Sequence, residues 1–186
     1  MRRILAGAAL VVATISLSGC TELGHFVIDS VTGGGYEEEY YEVSPEEMVV
    51  PDRFTIIPDD YHAEHAGVAE DGRPFFFTPL FDVDNEFLAI FYWNADGSFD
   101  ELVAEEFGPR DQLDEVAYEA AEERMLASLG ATSAVPISVE PFAVEKFGTT
   151  FGFVPTTYDS GLVAVELLPG NFMAYYWPWD GEGYDT

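Results

Sequence analysis

Apolar residues in this chain gather into runs of five to nine positions, separated by glycine, proline and acidic clusters, a spacing that reads as strands more often than helices. Tyr61 to Ala69 leads into Glu70-Asp71-Gly72-Arg73, and Phe75 to Phe81 returns. Phe87 to Trp93, Asn94-Ala95-Asp96-Gly97 and Ser98 to Phe107 repeat the pattern. Asp-Gly between extended runs supplies the positive-φ positions of a tight turn, so each set predicts an antiparallel hairpin. One segment has a different period. After Gly108-Pro109-Arg110, Asp111 is a good N-cap, with Asp114 and Glu115 in a first turn that favours negative charge. The helix predicted from there spans about 111–129 and stops at Gly130. Its first half shows a stripe of Leu113, Val116, Ala117 and Ala120; its second half, with Met125, Leu126 and Leu129, is apolar on more than one side. Strand character resumes over Val135 to Phe147, Thr150 to Val154, Leu162 to Leu168 and Phe172 to Trp177, with Gly148, Pro155, Asp159-Ser160-Gly161 and Pro169-Gly170-Asn171 as breaks.

Helices do not alternate with strands here, which argues against a parallel doubly wound sheet. The expected fold is α+β: a curled, mainly antiparallel sheet of about six to eight strands, with one principal helix between two groups of strands. Seven strands make a sheet roughly 34 Å wide, whereas a helix is only about 10 Å across. Yet Phe75 to Phe77, Phe87 to Trp93 and Phe172 to Trp177 are apolar on both faces of their strands. The sheet must therefore curl around the helix, fold over as a second layer, or leave an aromatic face for a ligand or partner.

Composition changes this picture chiefly through charge. The chain has 186 residues, of which 35 are acidic and 7 basic, giving a net charge of −28. Nucleic-acid binding is excluded on this ground, because that affinity comes mainly from Lys and Arg neutralising phosphates. With 48% hydrophobic and 15% aromatic residues, the chain is also too apolar to be a generically disordered acidic segment.

The first twenty residues point to a location. Arg2 and Arg3 precede an apolar stretch from Ile4 to Leu17, which is shorter than the about 20 residues of a spanning helix and has the form of a secretion signal. Leu17-Ser18-Gly19-Cys20 resembles the lipobox of bacterial lipoprotein precursors: an aliphatic residue, two small ones, then Cys. The resemblance implies that residues 1–19 are removed and that Cys20 becomes an N-terminus bearing a thioether-linked diacylglycerol and an amide-linked acyl chain. Two or more acyl chains suffice for stable membrane anchoring. Thr21 stands where the family's inner-membrane retention signal has Asp, so an outer-membrane address, at the periplasmic face or the cell surface, is expected over the inner membrane. Cys20 is the only Cys, which leaves the mature domain without a disulfide. After Cys20, Arg53, Arg73, Arg110, Arg124 and Lys146 are the only basic residues against 35 acidic ones, a net charge of −30.

Residues 20–50 read as a lipidated Cys and a flexible acidic tether, because Gly33-Gly34-Gly35 is followed by Glu37-Glu38-Glu39 and then Glu46-Glu47. Thirty such residues span roughly 30 Å as a coil and about 100 Å fully extended. Residues 51–186 form the single domain.

Three stretches could carry chemistry. Asp59-Asp60-Tyr61-His62-Ala63-Glu64-His65 sets two His among carboxylates, making His62, Glu64 and His65 candidate metal ligands. On a strand, however, His62 and His65 face opposite ways. Asp82-Val83-Asp84-Asn85-Glu86 resembles the start of a calcium loop, with Asp82 and Asp84 as ligands, although Phe87 stands where an EF-hand needs Gly. Calcium is the one cofactor the sequence offers. Finally, Tyr175, Tyr176, Trp177, Trp179 and Asp180 place rings beside a carboxylate, the combination that stacks and hydrogen-bonds sugars. No nucleophile elbow, phosphate-binding glycine loop or free Cys is present, so catalysis is not expected. The run Phe147-Gly148-Thr149-Thr150-Phe151-Gly152-Phe153 and the ending Pro178-Trp179-Asp180 resemble segments of uncharacterised bacterial proteins, and no residue role follows from that. The sequence thus describes a lipid-anchored envelope protein that binds a protein partner or an envelope glycan. A carboxylate-based, glycosidase-like hydrolase and a calcium-dependent structural lipoprotein are the alternatives.

Overall fold

The computed structural model describes residues 43–170, 172–182 and 184–186, together with the backbone of His25–Phe26 and Tyr41–Glu42. Those two dipeptides, β1 (His25–Phe26) and β2 (Tyr41–Glu42), pair antiparallel. The chain then enters the domain earlier than Pro51. Val43 is buried, and Pro45–Met48 forms a 3₁₀ turn. The carboxylate of Glu47 accepts from the backbone N–H of Ser44 at 2.7 Å, and Pro45 sits at the first helical position. Ser-x-x-Glu is a helix-start signature, which orders the stretch that the acidic composition marks as the end of a tether.

The remaining strands are β3 (Phe54–Ile56), β4 (Ala66–Val68), β5 (Pro74–Phe81), β6 (Glu86–Trp93) and β7 (Phe99–Glu106), followed after the helix α1 (Glu115–Ser128) by β8 (Ile137–Val139), β9 (Phe142–Lys146), β10 (Thr149–Thr157), β11 (Val163–Leu168), β12 (Ala174–Tyr175) and β13 (Tyr184–Asp185). They are mostly antiparallel sheets, and among the described residues a single α-helix lies between two groups of strands. Strands β4-β5-β6-β7 form a four-stranded meander, β9 to β13 a five-stranded one, and β3 pairs with β8. Rather than one continuous sheet, there are two principal sheets packed face to face.

The packing explains the doubly apolar strands. Odd-numbered residues of β6, including Phe87, Phe91 and Trp93, face the second sheet, where Phe153 lies 5.9 Å from Phe91 and Phe142 lies 5.7 Å from Trp93. Even-numbered Leu88, Ile90 and Tyr92 face the other way, toward Ala121, Met125 and Leu129 of the helix region. Every residue of β6 is consequently buried. One face of the β4–β7 sheet packs on the helix and its other face on a second sheet, so the width mismatch between helix and sheet is met by a second layer.

The helix differs from the sequence reading in start and face. Arg110–Gln112 is a separate 3₁₀ turn and Leu113 is extended, so the cap is Asp114, whose carboxylate accepts from the Ala117 N–H at 3.1 Å, and not Asp111. Val116 is 77% exposed, while Ala121, Met125 and Leu129 are buried and Tyr118 and Leu126 pack beside them. Alanines at 117, 120 and 121 suit either face, and the bulkier side chains of the second half decide the orientation.

Three strand boundaries also move. Only Ala66–Val68 of the Tyr61 to Ala69 run is a strand. The Val135 to Phe147 run divides at Glu140-Pro141, with β8 joining β3 and β9 joining the second sheet. Pro155 does not end its strand but lies within β10, opposite Val165. Strand β9 pairs with β10 only as far as Phe153, so the missing N–H of Pro155 faces an open edge. Between β9 and β10, Phe147 and Gly148 have φ of +55° and +80°, the two-residue turn that matches the twist of a hairpin.

Candidate functional site

The Asp59 side chain decides the path of the segment that follows it. Its Oδ1 accepts from the backbone N–H groups of Tyr61 and Ala63, both at 2.9 Å, and its Oδ2 accepts from the Tyr184 hydroxyl. Burial works against ionisation of Asp59, but these hydrogen bonds, Tyr184's foremost, outweigh it and hold the carboxyl below its ordinary 3.8. Anchored in this way, Tyr61 to His65 forms a loop that joins the sheet at its end, where the His65 carbonyl accepts from the Phe77 N–H of β5 at 2.9 Å and β4 begins. The expectation that His62 and His65 point to opposite faces of a strand is therefore corrected. Both line one cleft of about 480 Å³ between this loop, the far half of β5, the start of α1 and Phe172.

One wall of the cleft is a relay of rings. The Tyr61 and His62 ring centroids are 3.9 Å apart, His62 and Phe172 5.4 Å, and Phe172 and Phe81 6.2 Å with planes within 9°. Gly170 permits the last contact, since at its φ of +96° a Cβ would stand 2.9 Å from the Phe81 carbonyl oxygen. The Arg110 guanidinium then lies 5.7 Å over Phe81, and its Nε donates to Glu86 at 2.7 Å. Glu86 opens β6 on the helix-facing side and is only 7% exposed, while Arg110 is exposed. A carboxylate buried to this degree depends on its partner, because removing the cation would strand the charge. Opposite, Tyr118 contributes a hydroxyl pushed up to about 12, first by burial and then by the carboxylates of Glu122 and Glu86. Glu64 and Glu122 complete the polar lining.

The other candidate residues do not assemble into one site. Asp82 serves the β5–β6 turn: Oδ1 accepts from the Asp84 and Asn85 N–H groups at 2.8 Å, and Oδ2 accepts from the Thr149 hydroxyl at 2.9 Å. Asp84 is exposed in the same turn. Among the described residues, no three His, Cys, Asp or Glu side chains converge as an ion would require, and this holds for His62, Glu64 and His65. Cys20 lies outside the described residues.

The C-terminal aromatic run is divided among three places. Tyr175 is 1% exposed in the core, 5.0 Å from Phe54, and its hydroxyl has no hydrogen-bond partner among the described residues. It is therefore not part of a ligand surface as the sequence reading had it. Tyr176 lines a hollow of about 150 Å³ beside Glu166, whose carboxylate accepts from the Thr156 and Tyr158 hydroxyls. Trp177 and Trp179 line a shallow surface with Val49, Val50 and Arg53. Asp180 is exposed and accepts from the Glu182 N–H at 3.0 Å.

Sequence reasoning missed Phe81, Glu86, Arg110, Tyr118, Glu122 and Phe172, which come from five separate segments of the chain. A usable signal existed for Glu86 alone, the one charged residue at the head of a run that is otherwise apolar through Trp93. Compared with protein-family models, with curated proteins and with solved structures, the chain matches none.

Proposed function

We propose that the chain is a lipid-anchored cell-envelope protein whose domain binds an envelope glycan in the cleft between the Tyr61 to His65 loop, β5 and α1. The observation that carries this reading is the ring relay Tyr61, His62, Phe172 and Phe81 ending on the Arg110–Glu86 pair. Aromatic faces stack on the C–H faces of sugars, and a guanidinium beside a carboxylate offers donor and acceptor to adjacent hydroxyls. A cleft of about 480 Å³ has the size of a small-ligand site. The lipobox motif at Leu17-Ser18-Gly19-Cys20 supplies the membrane attachment, and the acidic surface keeps the domain off an anionic bilayer.

Calorimetric titration of the full chain in detergent with soluble peptidoglycan and surface-polysaccharide fragments tests the cleft. Binding that falls at least about tenfold in Phe172→Ala is expected, and a full set of fragments without heat would refute it. Glu64, Glu86 and Glu122 share the cleft, so new reducing ends in the same mixtures would instead favour the glycosidase-like hydrolase. Cys20→Ala tests the anchor: the variant should leave the membrane fraction.

A further inference from the structure

The cleft has more negative charge than its own residues neutralise. Arg110 is the one Lys or Arg in its lining and is already held by Glu86 at 2.7 Å. Glu64 and Glu122 line the same cleft, and among the described residues neither is in an ion pair. The other basic side chains of the lining are His62 and His65, and among the described residues neither forms an ion pair with Glu64 or Glu122; Arg53, Arg73 and Arg124 hold Glu140, Asp71 and Glu105 elsewhere, and Lys146 lies over Phe147.

This balance discriminates among sugars. A neutral saccharide entering the cleft would stack on the rings but would also strip water from two carboxylates and return hydroxyl hydrogen bonds without a counter-charge, which leaves part of the desolvation cost of a charged group unmet. Protonated amines along the sugar reverse the effect, supplying the counter-charge in hydrogen bonds that are ionised on both sides. They also gain from the negative faces of Tyr61 and Phe172, since a cation over an aromatic ring is attracted by the ring's quadrupole.

Resting on the cleft reading above, we infer that the ligand is an amino sugar whose amine is free and protonated, with Glu64 and Glu122 as the groups that select it over the N-acetylated form.

The test titrates the full chain in detergent at pH 7, above the ordinary imidazole range so that His62 and His65 of the lining add little positive charge, with the glucosamine trisaccharide and with its fully N-acetylated counterpart. The free-amine sugar should bind at least about tenfold more tightly. In Glu64→Gln/Glu122→Gln, which alters one exposed and one half-buried side chain, that preference should fall to about twofold or less. Because the whole domain is acidic, Asp159→Asn/Glu182→Gln removes the same charge from exposed positions outside the cleft and should keep the full preference. Equal affinity for the two sugars would overturn the inference and leave the glycan cleft standing. Loss of preference in the outlying double variant as well would overturn it in favour of general attraction to a polyanion. If neither sugar binds while envelope fragments do, the amino-sugar assignment fails alone, and if nothing binds the cleft reading fails with it.

Discussion

The Tyr61 to His65 loop and the Tyr175 to Asp180 run look alike in sequence, each mixing rings with carboxylates, and the fold uses them in opposite ways. Tyr175 belongs to a strand, paired with Val165 on one side and Tyr184 on the other. Ladder pairing dictates that its side chain points inward, where Phe54 and Phe153 already wait at 5.0 and 6.1 Å. The loop meets the ladder only at its last residue, His65, whose carbonyl accepts from the Phe77 N–H. Asp59 holds its backbone from one end, leaving Tyr61 68% exposed at the lip of the cleft. Aromatic and acidic composition therefore does not separate a core segment from a binding segment. What separates them is whether backbone pairing or a side-chain anchor sets the direction of the rings.

The sharpest way to break this comparison is to truncate one ring from each region. Tyr175→Ala should lower stability by about 3–5 kcal/mol in chemical denaturation, as removal of a large buried ring does. Tyr61→Ala should stay within about 0.5 kcal/mol and lose affinity for cleft ligands instead. Similar stability losses in both would erase the distinction drawn here.

A smaller effect is expected at the anchor. Asp59→Ala removes the acceptor for two loop N–H groups and the Tyr184 hydroxyl and should cost about 1–2 kcal/mol. Since the folded-state pKa of Asp59 lies below its ordinary 3.8, its contribution is fully present above pH about 4 and is lost as pH falls through the folded value. Acid titration of stability followed by circular dichroism should show that loss in the parent chain and less of it in Asp59→Asn. An identical acid profile in both would mean that the loop is held by its rings alone.

The smallest effect concerns the one polar atom of Tyr175. Its hydroxyl is buried without a hydrogen-bond partner among the described residues, and burial foremost, with Tyr184 and Asp59 adding to it, pushes its pKa far up. Tyr175→Phe should leave stability unchanged or raise it by about 1 kcal/mol, read as a shift of the denaturation midpoint. A clear loss would reveal a partner for the hydroxyl and return the C-terminal run to consideration as a polar site.

Much of the architecture was legible in the amino-acid order because it is written locally. Asp71-Gly72 and Asp96-Gly97 mark their turns, with Gly72 and Gly97 at φ of +87° and +82°, and Gly130 ends the helix at φ of +67°. Errors arose where short-range signals were ambiguous. Asp111 and Asp114 both have capping chemistry, and alanines left the helix face undetermined until Met125 and Leu129 met the sheet. The Glu140-Pro141 break was hidden inside an apolar run because separate strands of different sheets carry the same pattern.

By itself, the sequence determined the strand-rich class, one principal helix between two strand groups and the lopsided charge, since turn chemistry, periodicity and composition each act over a few residues. Only the tertiary structure decided that the helix on one side and a second sheet on the other bury both faces of β6, and that His62, Phe81, Arg110 and Phe172 share one cleft. Those residues are separated by up to a hundred or so positions, and no local rule couples them. Their meeting follows from how the layers stack, which depends on the fit of the whole core at once.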